Sequence, residues 1–489
     1  MDCVEIKNLK VSYGKGNYEK EVLHGININA YTGKITAIIG ESGSGKTTIG
    51  KTIQGILNEN ANVEGKIRIN NIEYDLSNRG YKREARKKIA STVFQDAKLS
   101  LNPNQKIKKQ ITENYDTTDR SLSKKEYVKK VKVLMQEVGL FDIERILNSY
   151  PRQLSGGMCQ KLVIIMSIIK NSKLLIADEP TASLDEKSQQ EVIKIIKELN
   201  RKYGLTIIYI THDLGLIDNV ADSLVVIKDG QIIETSDDIK NLKTDYAKDL
   251  FMAKEKTWFK NATGKSKLLE VNSLSKSFSG NKILDDINLD INQGEVLGIY
   301  GPSGQGKTTF VRCLTGLNYY DKGFIRVGSH PVYNRMQISP SFVQMIFQDA
   351  KASLNPRKKI FDLLMEPLAL NKNVDHKEKT DLVNHFLELV SLSGHEDKTT
   401  ESLSTGQCQR VAIARALISK PKLLICDEAV SAQDVLLQNQ ILDLLRSLQE
   451  KLDFTILLIS HDKKMLFNYC DRVVKIENKK LVKQEGKNV

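Results

Sequence analysis

Two short loops in this chain combine glycine, lysine and threonine at a spacing that suits phosphate binding. Residues 40–47 read Gly-Glu-Ser-Gly-Ser-Gly-Lys-Thr, and residues 301–308 read Gly-Pro-Ser-Gly-Gln-Gly-Lys-Thr. Glycines let backbone N–H groups converge on phosphate oxygens, lysine adds a positive charge, and threonine offers a hydroxyl to Mg²⁺. Each loop follows a short apolar run and precedes a helix-like stretch, which is the context that this P-loop motif requires. The sequence therefore predicts two nucleotide-binding sites.

The predicted nucleotide contacts fall at matching positions of the two loops. They are Gly40, Ser42, Gly43, Gly45, Lys46, Thr47 and Thr48 in the first loop, and Gly301, Ser303, Gly304, Gly306, Lys307, Thr308 and Thr309 in the second. We expect the two lysines to balance the charge of the β- and γ-phosphates, and Thr47 and Thr308 to bind Mg²⁺.

Each half also contains an apolar run that ends in Asp-Glu, at Asp178-Glu179 and at Asp427-Glu428. We predict that the two aspartates hold Mg²⁺, directly or through water. The two glutamates follow immediately and are placed to orient or deprotonate the attacking water. The alternative is that a carboxylate after an apolar run caps a helix.

The second half of the chain repeats the motifs of the first half in the same order. Residues 93–98, Val-Phe-Gln-Asp-Ala-Lys, return as Ile-Phe-Gln-Asp-Ala-Lys at 346–351, and Ser-Leu-Asn-Pro follows in both places. The Leu-Ser-Gly-Gly run at 154–157 returns as Leu-Ser-Thr-Gly at 403–406. A His-Asp pair follows a later apolar run in each half. This repetition indicates two related domains.

We place the first domain at residues 1–240, a linker with a helical extension at 241–266, and the second domain at 267–489. In the first half, short apolar runs at 174–177, 206–210 and 224–227 are typical of buried strands. Residues 67–74 alternate as one strand, and residues 124–137 and 245–256 have helical spacing. Alternating strands and helices predict an α/β fold with a mostly parallel sheet.

In each half, the P-loop is followed in order by a Phe-Gln-Asp glutamine, a Leu-Ser-Gly-Gly or Leu-Ser-Thr-Gly signature, the Asp-Glu pair and a histidine. With these motifs, each half resembles an ATP-binding-cassette ATPase domain over nearly its whole length. The resemblance implies two P-loop cassette domains in tandem. Each would have a RecA-like parallel-sheet core, an antiparallel β subdomain and a helical signature subdomain. It also implies Mg²⁺-dependent ATP hydrolysis, with the halves of one chain docking head to tail around two ATP molecules.

The resemblance assigns roles to further residues at matching positions. Gln95 and Gln348 match the metal-sensing and coupling glutamine, His212 and His461 match the residue that contacts the γ-phosphate, and Tyr13 and Phe278 are placed to stack on adenine. Ser155, Gly156 and Gly157 in the first half, and Ser404 and Gly406 in the second, match the signature that contacts the ATP of the opposite half. For the histidines and aromatics, a purely structural role is the alternative.

The second signature carries Thr405 where the first has Gly156, and Gln433 departs from the usual Ala-Leu-Asp run. In a head-to-tail pair, Thr405 would face the nucleotide held by Lys46. The hypothesis is that the other sandwich, formed by Lys307 and the first signature, hydrolyses ATP faster. The alternative is that Thr405 is tolerated without effect. Met166 stands where the second half has Arg415, and the sequence offers no account of that difference.

Composition narrows the function classes. The chain has 489 residues, 40% hydrophobic content and a net charge of +13. No apolar stretch of the sequence is long enough to span a bilayer, and we expect no signal peptide. The six cysteines form no Cys-x-x-Cys pair, so a reducing cytosol is expected. The positive charge is scattered, which favours a lysine-rich solvated surface, and we expect no nucleic-acid partner.

The Phe-Gln-Asp motif followed by Ser-Leu-Asn-Pro resembles the ATPases of peptide, nickel and opine importers. The two halves resemble the two different ATPase subunits of such systems, fused. The resemblance implies integral-membrane permease partners, indirectly an extracellular substrate-binding protein, and a place on the cytoplasmic face of the membrane. Alternatives are the ATPase of another transporter, such as a sugar importer, or a soluble tandem-cassette factor on ribosomes. The latter class usually has a longer, charged helical linker, and the sugar class often has a degraded second P-loop.

Overall fold

The computed structural model describes residues 2–14, 19–69, 71–78, 81, 85, 90–94, 96–116, 123–169, 172–182, 184, 186–238, 241–258, 266–302, 304–333, 341–369, 375–430 and 434–483. The chain divides into two compact units, Met1–Lys254 and Glu255–Val489. Each unit is an α/β fold with one antiparallel and one mostly parallel sheet.

The first unit begins with an antiparallel sheet in the order β2-β1-β4-β5. Its strands are β1 (Asp2–Tyr13), β2 (Lys20–Tyr31), β4 (Ala61–Ile69) and β5 (Ile72–Asp75). Residues 67–74 therefore form two strands, and the expectation of one strand is wrong. Asn71 adopts a φ of +67° in the turn, a conformation that asparagine tolerates better than most residues.

The second sheet of this unit has the order β10-β9-β3-β8-β7-β6. Strand β10 pairs antiparallel with β9, and the other four pairings of this sheet are parallel. Its strands are β3 (Ile35–Gly40), β6 (Ala90–Val93), β7 (Leu174–Asp178), β8 (Thr206–Ile210), β9 (Ser223–Lys228) and β10 (Gln231–Ser236). The three predicted buried strands are thus confirmed as β7, β8 and β9. Strands β3, β7 and β8 are buried along their whole length because the sheet is covered on both faces.

Alternate residues of the parallel sheet pack into two different hydrophobic clusters. Leu175, Ala177 and Tyr209 pack into the cluster with the helical region, whereas Ile176 and Ile210 pack into the cluster with the antiparallel sheet and the P-loop helix. The helices are Lys46–Ile53, Ala97–Ser100, Ile107–Asp116, Lys124–Glu137, Ile143–Asn148, Gly156–Ile168, Glu186–Tyr203, Leu214–Val220 and Asp245–Ala253. The helix predicted at 124–137 is confirmed, and a capping box at Ser123 and Glu126 fixes its start.

The second unit repeats both sheets, in the orders β12-β11-β14-β15 and β16-β17-β18-β13-β19-β20. Its strands are β11 (Lys267–Phe278), β12 (Asn281–Asn292), β13 (Val296–Tyr300), β14 (Lys322–Val327), β15 (His330–Pro331), β16 (Val343–Ile346), β17 (Leu423–Asp427), β18 (Thr455–Ile459), β19 (Arg472–Glu477) and β20 (Lys480–Lys483). Its helices are Lys307–Leu314, Ala350–Ser353, Ile360–Leu368, His376–Leu389, Thr405–Leu417, Val435–Leu452 and Lys463–Tyr469.

Residues 245–258, at the division between the two units, have contacts in both. The predicted helical extension ends at Ala253 and packs on β10 of the first unit. In the second unit, Trp258 donates its indole N–H to Asp443 at 2.8 Å and packs edge-on against Tyr469 at 5.2 Å. Residues 259–265 of the predicted linker lie outside the described residues.

Candidate active sites

The first P-loop lies at the carboxyl end of β3, where a parallel sheet presents its ligand site. Strand β3 ends at Gly40, and the helix that begins at Lys46 follows the loop. The Lys46 ammonium donates to the carbonyl oxygens of Gly40 at 2.8 Å and Glu41 at 2.7 Å. Lys46 is only 6% exposed, so its ammonium is held over the loop whose phosphate it is predicted to bind.

Three residues of this loop fit a bound phosphate chain. Gly40 has φ +153°, and a Cβ there would lie 2.0 Å from the carbonyl oxygen of Ile227. Gly43 has φ +86° and open space around its Cβ position. The Ser44 hydroxyl is buried and has no hydrogen-bond partner among the described residues. A buried hydroxyl without a hydrogen-bond partner, next to a glycine with open space around it, fits a phosphate whose oxygens accept hydrogen bonds.

Asp178 ends β7 and faces the start of the P-loop helix. Its Oδ1 accepts a long hydrogen bond of 3.4 Å from the Thr47 hydroxyl. Burial, with a further contribution from the adjacent Glu179, raises the pKa of Asp178 to about 6. A carboxylate that is desolvated in this way gains from a cation, so Asp178 and Thr47 form a suitable pair for Mg²⁺.

Glu179 and His212 form an ion pair next to this carboxylate. Glu179 has φ +48°, and its Oε1 lies 2.9 Å from Nδ1 of His212. Burial acts to raise the pKa of Glu179, but the hydrogen bond and charge of His212 outweigh it and the net direction is downward. Burial acts to lower the pKa of His212, and Glu179 reverses that effect. The structure thus brings the predicted glutamate and histidine together.

The second P-loop has the same support. Lys307 begins a helix and donates to the carbonyl oxygens of Gly301 at 2.7 Å and Pro302 at 3.2 Å. Burial lowers the pKa of this 7% exposed lysine, although Glu428 and Asp427 act in the opposite direction. A Cβ at Gly301 would meet the carbonyl oxygen of Ile476 at 2.4 Å, so this corner needs glycine.

The second Asp-Glu pair has a different neighbour. Burial, followed by the effect of Glu428, raises the pKa of Asp427 to about 6. Glu428 has φ +50°, and its Oε2 accepts a hydrogen bond of 3.1 Å from the Gln348 amide. Within the described residues, no hydrogen bond joins Glu428 to His461, which is exposed. Among the described residues, Glu179 thus contacts a histidine and Glu428 a glutamine.

The two signatures both open helices. Ser155 accepts a hydrogen bond from the Met158 N–H at 3.2 Å and starts the helix Gly156–Ile168. Ser404 does the same for Thr405–Leu417, with a complete capping box. A Cβ at Gly156 would make only ordinary contact, 3.5 Å from Leu184 Cδ2, so the first unit itself does not require glycine there.

Other predicted residues are placed as follows. Tyr13 is half-buried at the end of β1, and Phe278 is 47% exposed at the end of β11 with the Lys276 ammonium 5.1 Å from its ring centre. Gln95, Ser303 and Gln433 lie outside the described residues. Sequence reasoning missed Ser44, whose only signal was its place inside the P-loop.

The structure also accounts for Arg415. Its guanidinium donates to the carbonyl oxygen of Ser353 at 3.1 Å and so ties the second signature helix to the short helix Ala350–Ser353. In the first unit, the backbone carbonyl of Met166 instead accepts from the Asn114 amide at 2.8 Å. The same region is thus stabilised by different polar contacts.

Within the described residues, no group of three His, Cys, Asp or Glu side chains is arranged to hold a metal ion. Mg²⁺ does not need such a cage, since it commonly uses one or two protein ligands together with substrate phosphates and water. One aspartate and one threonine per site fit that coordination.

Comparison with known proteins decides the family. The sequence profile described as "ABC transporter" matches residues 23–182 and 284–431, once in each unit. The chain belongs to the ABC transporter family. Both matches contain the P-loop and the Asp-Glu pair of their unit, and the ABC assignment makes this chain an ATP-binding subunit that hydrolyses ATP in coupling to transport.

Curated relatives match this ABC protein over almost its full length. The Peptidoglycan transport ATP-binding protein YejF of Agrobacterium fabrum is 29% identical over 98% of this chain and 92% of its own. The Uncharacterized ABC transporter ATP-binding protein YejF of Escherichia coli K12 is 30% identical, with 98% and 94% covered. The Glutathione import ATP-binding protein GsiA of Escherichia coli K12 is 30% identical, with 96% and 84% covered. In the described part of this chain, no helix combines the length and apolar character needed to cross a bilayer.

Proposed function

We propose that this ABC protein is the ATPase of a peptide-type importer and that both of its nucleotide sites power one membrane permease. The observation that carries the proposal is the presence of two complete sets of P-loop lysine, aspartate and glutamate in this chain. At least 96% of the chain aligns with proteins named for peptidoglycan transport and for glutathione import. Both named substrates contain short peptides, which favours that class. Nickel or metallophore import remains the variant to be tested beside it.

We propose the following residue roles, which the positions of these side chains at the two P-loops support. Lys46 and Lys307 bind the β- and γ-phosphates, and Asp178 with Thr47, and Asp427 with Thr308, hold Mg²⁺. Glu179 and Glu428 receive the proton of the attacking water, and the histidine of each unit contacts the γ-phosphate. Mg²⁺, when bound, neutralises charge that develops on the transferred phosphoryl group.

The proposed working unit is one chain that sandwiches two ATP molecules. Each P-loop would use the signature of the opposite half, whose helix N-terminus offers free N–H groups to phosphate. The first signature helix begins with Gly156 and Gly157, and the second with Thr405 and Gly406. Fusion in one chain keeps the halves at a high effective concentration.

The proposed permease would hold this chain at the cytoplasmic face of the membrane, and two exposed apolar side chains are candidates for contacting it. Leu99, in the short helix Ala97–Ser100, is 86% exposed, and Phe141 is 80% exposed. A single exposed apolar residue is common on any protein surface, so the test below includes a variant of Leu99. Scattered positive charge would also suit ribosome binding, which the test must therefore include.

The test is to purify the tagged full chain from detergent-solubilised native cells and identify its partners. Recovery with two integral-membrane permeases, and permease-dependent stimulation of its ATPase rate, is expected. The variant Leu99→Glu should reduce permease recovery, with Leu317→Glu, on another exposed leucine, as the matched control. Recovery with ribosomes in place of permeases would contradict the transport proposal. Uptake of labelled tripeptide against labelled nickel, in vesicles with the cognate binding protein, separates the substrate classes.

A further inference from the structure

A tyrosine in the segment that leaves the first unit reaches the first P-loop. Tyr246 lies in the first turn of the helix Asp245–Ala253, after the last strand of the sheet. Its hydroxyl donates a hydrogen bond of 3.0 Å to Oε1 of Glu41, the residue that follows Gly40 in the loop. The two residues are 205 positions apart in sequence, and no motif predicts the contact.

The helix that carries Tyr246 is firmly attached to the unit. The buried Glu234 carboxylate accepts hydrogen bonds from the backbone N–H of Lys243 at 2.7 Å and of Thr244 at 2.9 Å, and from the Thr244 hydroxyl at 2.6 Å. Thr244 also caps the helix. The Lys228 ammonium lies 4.6 Å from the centre of the Tyr246 ring, in the range of a cation–π contact. The tyrosine hydroxyl is therefore presented from a rigid support.

Glu41 is the residue through which this contact reaches the nucleotide site. Its carbonyl oxygen accepts hydrogen bonds from the Lys46 ammonium at 2.7 Å and from the Ser44 N–H at 3.2 Å. A restraint on Glu41 thus restrains the carbonyl that orients the P-loop lysine. Holding binding groups in their working geometry before the ligand arrives strengthens binding by reducing the ordering cost.

The second P-loop restrains the same position in another way. Pro302 stands where the first loop has Glu41, and its carbonyl oxygen likewise accepts from Lys307. Proline fixes its own φ near −65° and has no side-chain acceptor that a tyrosine could use. The second loop therefore has a covalent restraint where the first depends on a side chain from outside the loop.

We propose that Tyr246 is a positioning residue for the first nucleotide site, acting through Glu41 on Lys46. The inference rests on the proposed function in one respect, namely that Lys46 and Lys307 each bind the phosphates of one ATP. It goes further in making the affinity of the first loop, and not of the second, depend on the helix that leads out of the first unit.

The test measures binding of the non-hydrolysable ATP analogue AMP-PNP to the full chain at one loop at a time. In a Lys307→Met background only the first loop should bind, and Tyr246→Phe should raise Kd roughly three- to tenfold, the effect of losing one hydrogen bond. In a Lys46→Met background, Tyr246→Phe should leave Kd unchanged. Tyr203→Phe removes a comparable tyrosine–glutamate bond, of 3.3 Å to Glu137, away from the loop and is the matched control.

A double-mutant cycle with Glu41→Ala completes the test, because Tyr246→Phe should add nothing once the acceptor is gone. An unchanged Kd in the Lys307→Met background would overturn the inference, and so would an equal rise in both backgrounds. The double variant Lys46→Met, Lys307→Met tests separately whether the two lysines bind the phosphates at all. If it binds AMP-PNP like the unmodified chain, the loop assignment fails and the inference fails with it.

Discussion

At the scale of single residues, the two sites differ most in what holds the proposed catalytic glutamate. Glu179 pairs with His212 at 2.9 Å, and that partner lowers the pKa of its carboxyl against the effect of burial. Glu428 accepts a hydrogen bond from a neutral amide, that of Gln348, at 3.1 Å. Since a cationic partner makes a carboxylate a weaker base, the pairing with His212 favours slower hydrolysis at Glu179, in the same direction as Thr405.

The first prediction compares the two glutamates. Glu428→Gln should lower the steady-state ATPase rate of the full chain by roughly 10²-fold, the scale of a lost general base. Glu179→Gln should lower it clearly less, because its site is the slower one. Phosphate release measures both, with Glu450→Gln, an exposed glutamate, as control. Equal losses would count against the asymmetry.

The second prediction concerns stability. The raised pKa of Asp178 means that the folded, nucleotide-free chain holds a proton there more tightly than the unfolded chain does. Its buried charge therefore destabilises the fold as the pH rises from about 4 through about 6. Asp178→Asn should stabilise the nucleotide-free chain at pH 8 by about 1 to 3 kcal/mol and abolish Mg²⁺-dependent ATP hydrolysis at that site.

Denaturant unfolding of the nucleotide-free chain at pH 8 and pH 5 measures this effect, and the stabilisation should be smaller at pH 5. Asp427→Asn is the matched variant of the second unit, where the pKa of the aspartate is raised for the same reasons. A loss of stability at pH 8 in both variants would show that the aspartates stabilise the fold and are not held for a cation.

At the scale of elements, the sequence pattern predicts the long amphipathic helices and the buried strands that carry motifs. Helix Lys124–Glu137 and strand β7, with its aspartate at the end, lie where the patterns place them. The error at 67–74 has a physical reason. Ile67 and Ile69 alternate with polar residues before Asn70-Asn71, and Ile72 and Tyr74 do so after it, so the alternation shifts by one residue at a two-residue turn that the prediction passed over.

Partners across long separations could not be predicted. The sequence indicated that Glu179, His212 and Gln348 belong to the sites, yet nothing in it shows that one glutamate meets the histidine and the other the glutamine. The Tyr246–Glu41 contact gave no signal at all, because tyrosine on an amphipathic helix is common. Such pairings depend on how loops leave the sheet, and periodicity carries no information about that.

The third prediction belongs to the signature helices. Gly156→Thr introduces into the first signature the residue that the second has at Thr405. The Cβ makes only ordinary contact within the unit, 3.5 Å from Leu184, so the melting temperature should change little. The ATPase rate should fall about tenfold or more, because the side chain would obstruct close approach of phosphate.

Thr405→Gly is the reciprocal variant and should raise the ATPase rate. Circular dichroism melting and steady-state phosphate release measure the two quantities separately. An unchanged rate in Gly156→Thr would mean that threonine is tolerated at this position and that Thr405 does not make the sites unequal.

At the scale of the whole molecule, one ABC chain contains two α/β units that share motifs and differ in detail. The differences lie at equivalent positions: Glu41 against Pro302, Gly156 against Thr405 and, among the described residues, a histidine beside Glu179 against a glutamine beside Glu428. They support the proposal of a single ATPase with two unequal sites, in which each site would be completed by the opposite half.

Native mass spectrometry of the full-length double variant Glu179→Gln, Glu428→Gln with Mg²⁺ and ATP tests this central claim most directly. Without hydrolysis the sandwich should persist, so the account predicts one chain that carries two ATP molecules, and one ATP when Lys46→Met is added. Two chains associating only in the presence of ATP, or a single ATP retained by the double variant, would contradict the pairing of both halves within one chain.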